Sequence, residues 1–261
     1  MAVLRARALA VAVGVPAAFA VLAATLTLAS PGSPATAAES VDTATTTTAG
    51  VPAAGPALAM GVTRPFVRGS VVPVAVDHRV RTTDPVAFIT IDDGVHKDPN
   101  GLRYVERNRL PVTAFVSAWT VKDRARYFQR LTQWGSVQNH SATHASLARS
   151  RTDLDHEICY TQRKLTRDFG TRPWLLRPPY GAGGTRLETQ ITARRCGIDA
   201  IVLWDAVVEK GRVTTTGSLR PGSVLLLHFT PNLERDIKAA VRAIREAGLR
   251  PADLGAYLPR S

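Results

Sequence analysis

Short apolar runs alternating with amphipathic stretches constrain this chain more than any other feature. The runs fall at 86–91, 112–116, 174–176, 200–203 and 224–227. Helical patterns lie between them at 101–109, 123–134, 153–169, 185–196 and 233–247, the last stopped by Gly248. Continuous apolar strands separated by helices predict an α/β domain with parallel strands and helices packed outside. Periodicity does not decide whether such units close into a barrel or stay open. In either form the C-terminal strand ends share one face, where reactive groups gather.

Polar residues stand at several of those ends. Asp92 and Asp93 close the first run in T-I-D-D-G, His140 follows the short segment 136–139, Arg177 follows 174–176, and His228 ends 224–227. His140 and His144 sit four apart in H-S-A-T-H. That spacing aims both rings at one point if the segment turns helically. One carboxylate and two histidines form a three-ligand metal site with room for water. The second carboxylate is then spare, which suits an enzyme. Read singly, each feature has a plainer explanation: a turn for Asp-Asp-Gly, a stiff loop for Arg177-Pro-Pro, a strand-end histidine for His228. His96 reads as a loop residue, and His78 and His156 as surface residues.

Outside the domain the composition changes. Arg5 and Arg7 precede 22 uncharged residues, 8–29, and Ala35-Thr36-Ala37 fits a processing site. Residues 1–37 are therefore expected to be a signal peptide, or an N-terminal anchor if uncleaved, since the stretch is long enough to span a bilayer. Residues 38–62 read as a disordered Thr/Ala/Pro/Gly linker. One domain is expected over 63–261, on the outside of the cell or secreted. The net charge is +12, or +10 without Arg5 and Arg7. It is spread along the domain and favours an anionic wall polymer over nucleic acid, for which there is no motif. Cys159 and Cys196 suffice for one disulfide in an oxidising compartment, and their pairing stays open.

The ordered set T-I-D-D-G, H-S-A-T-H, Arg177-Pro-Pro-Tyr180 and Leu225-Leu-Leu-His228 resembles the polysaccharide deacetylase family, the carbohydrate esterases with a NodB homology domain. The steps of 47 residues from Asp93 to His140 and 33 from His144 to Arg177 fit it, and the likeness runs over 86–258. It implies a distorted (β/α) barrel and removal of acetyl groups from N-acetylated sugars of a polysaccharide, peptidoglycan or chitin-like. Acetyl-ester cleavage and glycan binding without turnover are the alternatives. It implies Asp93, His140 and His144 as ligands of a divalent metal. The donor set suits zinc first, with cobalt, nickel or manganese as neighbours. Asp92 becomes the general base, steadied by Arg177, and His228 the acid. The Tyr180 N–H binds the oxyanion, and Pro179, Tyr180 and Trp204 meet the substrate. A monomer is expected, with membrane contact only through an uncleaved leader.

One motif departs from the family. Val207 occupies the position expected for the Asp that orients the acid histidine, and Lys210-Gly211 stands where an Asp-Trp pair is usual. Asp205 or Glu209 is left as a replacement.

Overall fold

A computed structural model describes residues 72–258 and Arg260. The leader and linker expected over 1–37 and 38–62 lie outside the described residues. The sheet runs in the order β1 (Ala75–Asp77), β6 (Ala200–Val202), β5 (Leu175–Leu176), β4 (Ser136–Asn139), β3 (Val112–Val116), β2 (Val86–Asp93), β9 (Ser223–His228), β7 (Ala206–Glu209) and β8 (Arg212–Thr215). A short β10 (Arg250–Pro251) pairs with the first two residues of β2. Strand pairs are parallel throughout except for the β7–β8 hairpin. The result is a curled half-barrel with helices outside.

The central strand β2 explains how the fold presents its chemistry. Ala87, Ile89 and Ile91 face outward into a cluster with Val105 of α1 (Pro99–Asn108) and Ile237, Val241 and Ile244 of α6 (Leu233–Glu246). Val86 and Phe88 face inward with Phe115, Leu175, Val202 and Val224. The two-residue period of a strand carries Thr90 and Asp92 along that inner row. An apolar strand thus delivers a buried carboxylate, 3 % exposed, to the barrel's inner end.

The outer helices are fixed at their starts by one side chain. Asp98 accepts from Asn100 N–H at 2.8 Å with Oδ1 and from Glu234 N–H at 3.0 Å with Oδ2. It therefore caps both α1 and α6, and each such cap contributes about 1 kcal/mol. The apolar stripe of α6 repeats at Leu233, Ile237, Ala240, Val241 and Ile244, all buried. It ends before Gly248, whose φ of +72° favours glycine.

Several expected elements differ in detail. The stretch 123–134 is interrupted: a helical turn α2 (Ala118–Val121), a 3-10 turn (Lys122–Arg124) and α3 (Ala125–Leu131). The stretch 153–169 opens as a π turn (Asp155–Tyr160) before continuing as α4 (Thr161–Phe169). Strands β1, β7, β8 and β10 were not expected. For the β7–β8 hairpin a signal exists: Lys210 and Gly211 form a two-residue loop with φ of 51° and 77°, the conformation that tight hairpins require.

Candidate active site

Asp93 ends β2 with φ of 84°, a left-handed conformation uncommon outside glycine, asparagine and aspartate. Gly94 follows at φ +85°, where a Cβ would lie 2.6 Å from Thr120 Oγ1 and 2.9 Å from Phe128. Only glycine fits. The Asp93 carbonyl accepts from Ser117 N–H at 3.1 Å and from the Thr120 hydroxyl at 2.9 Å. The strand end is therefore held while its side chain turns toward the loop after β4.

That loop, 140–144, does not turn helically. Ser141 and His144 have φ of 66° and 64°. The His140 N–H donates to the Val116 carbonyl at 3.2 Å, and side chains, rather than i to i−4 backbone bonds, satisfy the N–H groups of 141–144. Asn139 Oδ1 accepts from Ser141 N–H at 2.9 Å, and Ser141 Oγ accepts from His144 N–H at 3.1 Å. Glu157 accepts from the N–H groups of Ala142 and Thr143. The two imidazoles still converge, with ring centroids 5.0 Å apart.

The three expected ligands come together. Asp93 Oδ1 lies 3.3 Å from His140 Nε2 and 3.0 Å from His144 Nε2. His140 Nδ1 lies 2.7 Å from the Arg177 carbonyl, an acceptor only, so it carries the proton and a neutral ring offers a lone pair at Nε2. His144 Nδ1 is 3.2 Å from Tyr180 Oη. Asp93 Oδ1 is buried and makes no hydrogen bond among the described residues. An orphaned carboxylate oxygen facing imidazole nitrogens whose other ring atoms are engaged fits a divalent cation. Burial works against ionisation of Asp93, but the contacts and charges of His140 and His144, with the charge of His228, hold it well below the carboxylate range. Contact with Asp93 chiefly raises His144 above its ordinary 6.5. A second trio, Asp155, Cys159 and Cys196, also lies close together. Its cysteines form a disulfide with Cα atoms 4.9 Å apart, which removes them as metal ligands.

Arg177 is fully buried and threads the barrel interior. Its Nη1 donates to Asp92 Oδ1 at 2.8 Å and to Thr90 Oγ1 at 2.7 Å. Nε and Nη2 donate to the carbonyls of Val202 and Leu203, both at 2.9 Å, and the guanidinium stacks 4.3 Å from the Phe115 ring. Burial lowers the Arg177 pKa, while the Asp92 charge opposes that shift. Arg177 therefore takes up Asp92 Oδ1 and leaves Oδ2 facing the candidate ligand trio, 3.8 Å from His140 Nε2. Thr90 and Phe115 were not singled out from sequence, although Thr90 within an apolar strand was a visible anomaly.

His228 ends β9 in register with Asp92 and is partly exposed. Of the two carboxylates considered from sequence, Asp205 does not stand beside it. Asp205 bonds Ser223 Oγ at 2.9 Å and Val224 N–H at 2.7 Å, at the opposite end of β9. Glu209 is exposed and pairs with Lys210 at 3.3 Å. A further carboxylate within electrostatic range of His228, besides Asp93, is the buried Asp236 from the first turn of α6. It accepts from Gly211 N–H at 2.6 Å. Burial raises its pKa, opposed by that hydrogen bond and by the charges of Arg235 and His228.

Pro179 is buried, while Tyr180 is 72 % exposed with φ of 62° beside His144. Trp204 is half-buried, with its ring 5.7 Å from the Arg177 guanidinium. His78, His96 and His156 are exposed, as expected.

The family model for polysaccharide deacetylases matches residues 79–201, a span holding Asp92, Asp93, His140, His144 and Arg177 but not His228. The chain is 39 % identical over 205 residues to an uncharacterised Streptomyces coelicolor protein, covering 73 % of this chain and 80 % of that one. It is 32 % identical over 172 residues to the chitooligosaccharide deacetylase of Sinorhizobium fredii, covering 58 % of this chain and 74 % of that one. Among solved structures it is similar in fold to a mutant of BA3943, a Bacillus anthracis pseudoenzyme of carbohydrate esterase family 4 whose activity the mutation restored. That match has a TM-score of 0.60 and 18 % identity, and covers 72 % of each chain. Motif order, fold and relatives agree, and this chain belongs to the polysaccharide deacetylase family, hydrolases of carbohydrate esterase family 4.

Proposed function

We propose that this chain is an exported, divalent-metal-dependent deacetylase that removes acetyl groups from N-acetylated sugars of a wall polysaccharide, peptidoglycan or chitin-like. The observation that carries the reading is the buried, hydrogen-bond-free Asp93 Oδ1 facing the Nε2 atoms of His140 and His144. When bound there, a divalent cation, zinc first among the candidates, supplies a Lewis acid that activates water and polarises an amide carbonyl.

The chain's own residues supply the rest. Asp92 Oδ2, left free by the Arg177 bond to Oδ1, takes the proton of the attacking water. The Tyr180 N–H donates to the oxyanion as the carbonyl becomes tetrahedral. Protonated His228 gives its proton to the departing nitrogen as the C–N bond breaks, leaving acetate and a free amine. Trp204, Pro179 and Tyr180 border the sugar. The leader-like segment before residue 38 and the Cys159–Cys196 disulfide support export, and the positive charge supports an anionic wall polymer as partner. Acetyl esters are the rival substrate within the same chemistry.

Acetate release from a panel of N- and O-acetylated glycans by the metal-loaded protein tests this reading, together with metal content. No release from any of them would overturn it. The second reading, a member that binds glycan without turnover, is favoured by Val207 and by Asp205 lying away from His228. Tight glycan binding with full metal content and no acetate would establish it.

A further inference from the structure

The loop that carries His140 and His144 is held from outside by one buried acid. Glu157, on the π turn Asp155–Tyr160, is 5 % exposed. Its Oε2 accepts from the N–H groups of Ala142 at 2.9 Å and Thr143 at 3.0 Å, and its Oε1 accepts from the Thr143 hydroxyl at 2.7 Å. All three donors lie between the two histidines. An ionised carboxylate is an acceptor only, so it suits three donors, and such bonds are stronger than neutral ones.

The turn that presents Glu157 is itself anchored. Cys159, two residues on, is bonded to Cys196 at the end of α5 (Leu187–Arg195). Asn139 Nδ2 donates to the Ile158 carbonyl at 3.1 Å, tying the turn to the end of β4, just before His140. The loop gains from such a hold because Ser141 and His144 occupy left-handed conformations that cost free energy and persist only when surroundings enforce them.

We infer that Glu157 is a positioning residue that clamps the 140–144 loop in its metal-binding form. This rests on the metal site proposed above. Without the carboxylate, two N–H groups of the loop lose their acceptor, and His144 is free to swing from Asp93. Glu157 touches no reacting atom and acts through the loop.

Zinc affinity, measured by competition with a chromophoric chelator, tests the clamp, together with the zinc-induced rise in Tm. Glu157→Ala should weaken zinc binding about 10- to 100-fold, the usual cost of losing an outer partner of a metal ligand. Its zinc-induced rise in Tm should shrink accordingly. Glu157→Gln should stay within about threefold of wild type, because one oxygen can accept both N–H groups and the amide can donate to Thr143 Oγ1. A purely structural role would lower Tm equally with and without zinc and leave affinity unchanged. Folded Glu157→Ala with wild-type affinity would overturn the clamp. If that variant does not fold, Thr143→Val decides, with binding at least about threefold weaker expected and unchanged affinity overturning the clamp. Absence of zinc binding by wild type would overturn the metal site itself, a different failure from any of these.

Discussion

Around the proposed base and metal ligands, almost every polar atom has a partner. Arg177 uses Nε, Nη1 and Nη2, His140 donates to a carbonyl, and the 140–144 loop is bonded through Asn139, Ser141 and Glu157. Around the proposed acid, His228 is partly exposed, Asp205 is bonded at the opposite end of β9, and Glu209 is exposed. The family match divides the molecule at the same place: it ends at residue 201, before Trp204, Asp236 and His228. Positioning of a metal ligand or base has to be tight, because small displacements cost large factors in rate. A proton donor at the rim tolerates a different supporting residue.

The comparison is tested most sharply within its rigid half. Asp93→Ala should lose bound metal and acetate release together, whereas Asp92→Asn should keep its metal and lose about 10²–10⁴-fold in kcat. Metal analysis beside acetate assays separates the two. If Asp92→Asn also lost its metal, the two carboxylates would not be dividing the roles.

Arg177→Met should come next in size. It leaves Asp92 buried without its partner, a loss of about 3–5 kcal/mol, read by denaturant unfolding. An effect below about 1 kcal/mol would mean that the pair is not a structural keystone.

The pH dependence of metal affinity also belongs to this half. His144 is raised above 6.5 mainly by Asp93, so below that raised value metal must displace a proton from it. Apparent affinity should climb up to about tenfold per pH unit below the raised value and flatten above it. The metal-free protein should behave inversely. The His144 contribution to its stability is complete below pH 6.5 and lost as pH rises through the raised value. The Asp93 contribution is present above 3.8 and lost as pH falls through its depressed one. Chelator titrations and metal-free melts across this range check both limbs.

The smallest expected effect lies on the loose side. Asp236→Asn should lower kcat by about tenfold or less with KM unchanged, while Asp205→Asn should leave kcat alone, since the acid step as a whole is worth about 10²–10⁴-fold. If Asp205→Asn were the damaging change, the assignment of a carboxylate to His228 would be reversed.

Much of this was legible in the chain. Apolar runs at 86–91 and 112–116 became β2 and β3, and the polar residues at strand ends converged because parallel strands end on one face. The interrupted helix at 118–131 and the hairpin at 206–215 were less legible. The first depends on how the chain folds back over Asp93, and the second on a Lys-Gly turn between two short strands, Ala206–Glu209 and Arg212–Thr215.

The sequence by itself determined which residues could do the chemistry: two carboxylates after a buried strand, two histidines four apart, an arginine before Pro-Pro and a histidine at the end of the last long strand. Residue type and order are local properties, and they name donors and charges without partners. Tertiary structure alone decided that Glu157 bonds the histidine loop, which is not wound as a helix, and that Asp205 is bonded at the end of β9 opposite His228. Those partners lie far apart along the chain or on another element, and hydrogen-bond geometry across such separations is set by packing.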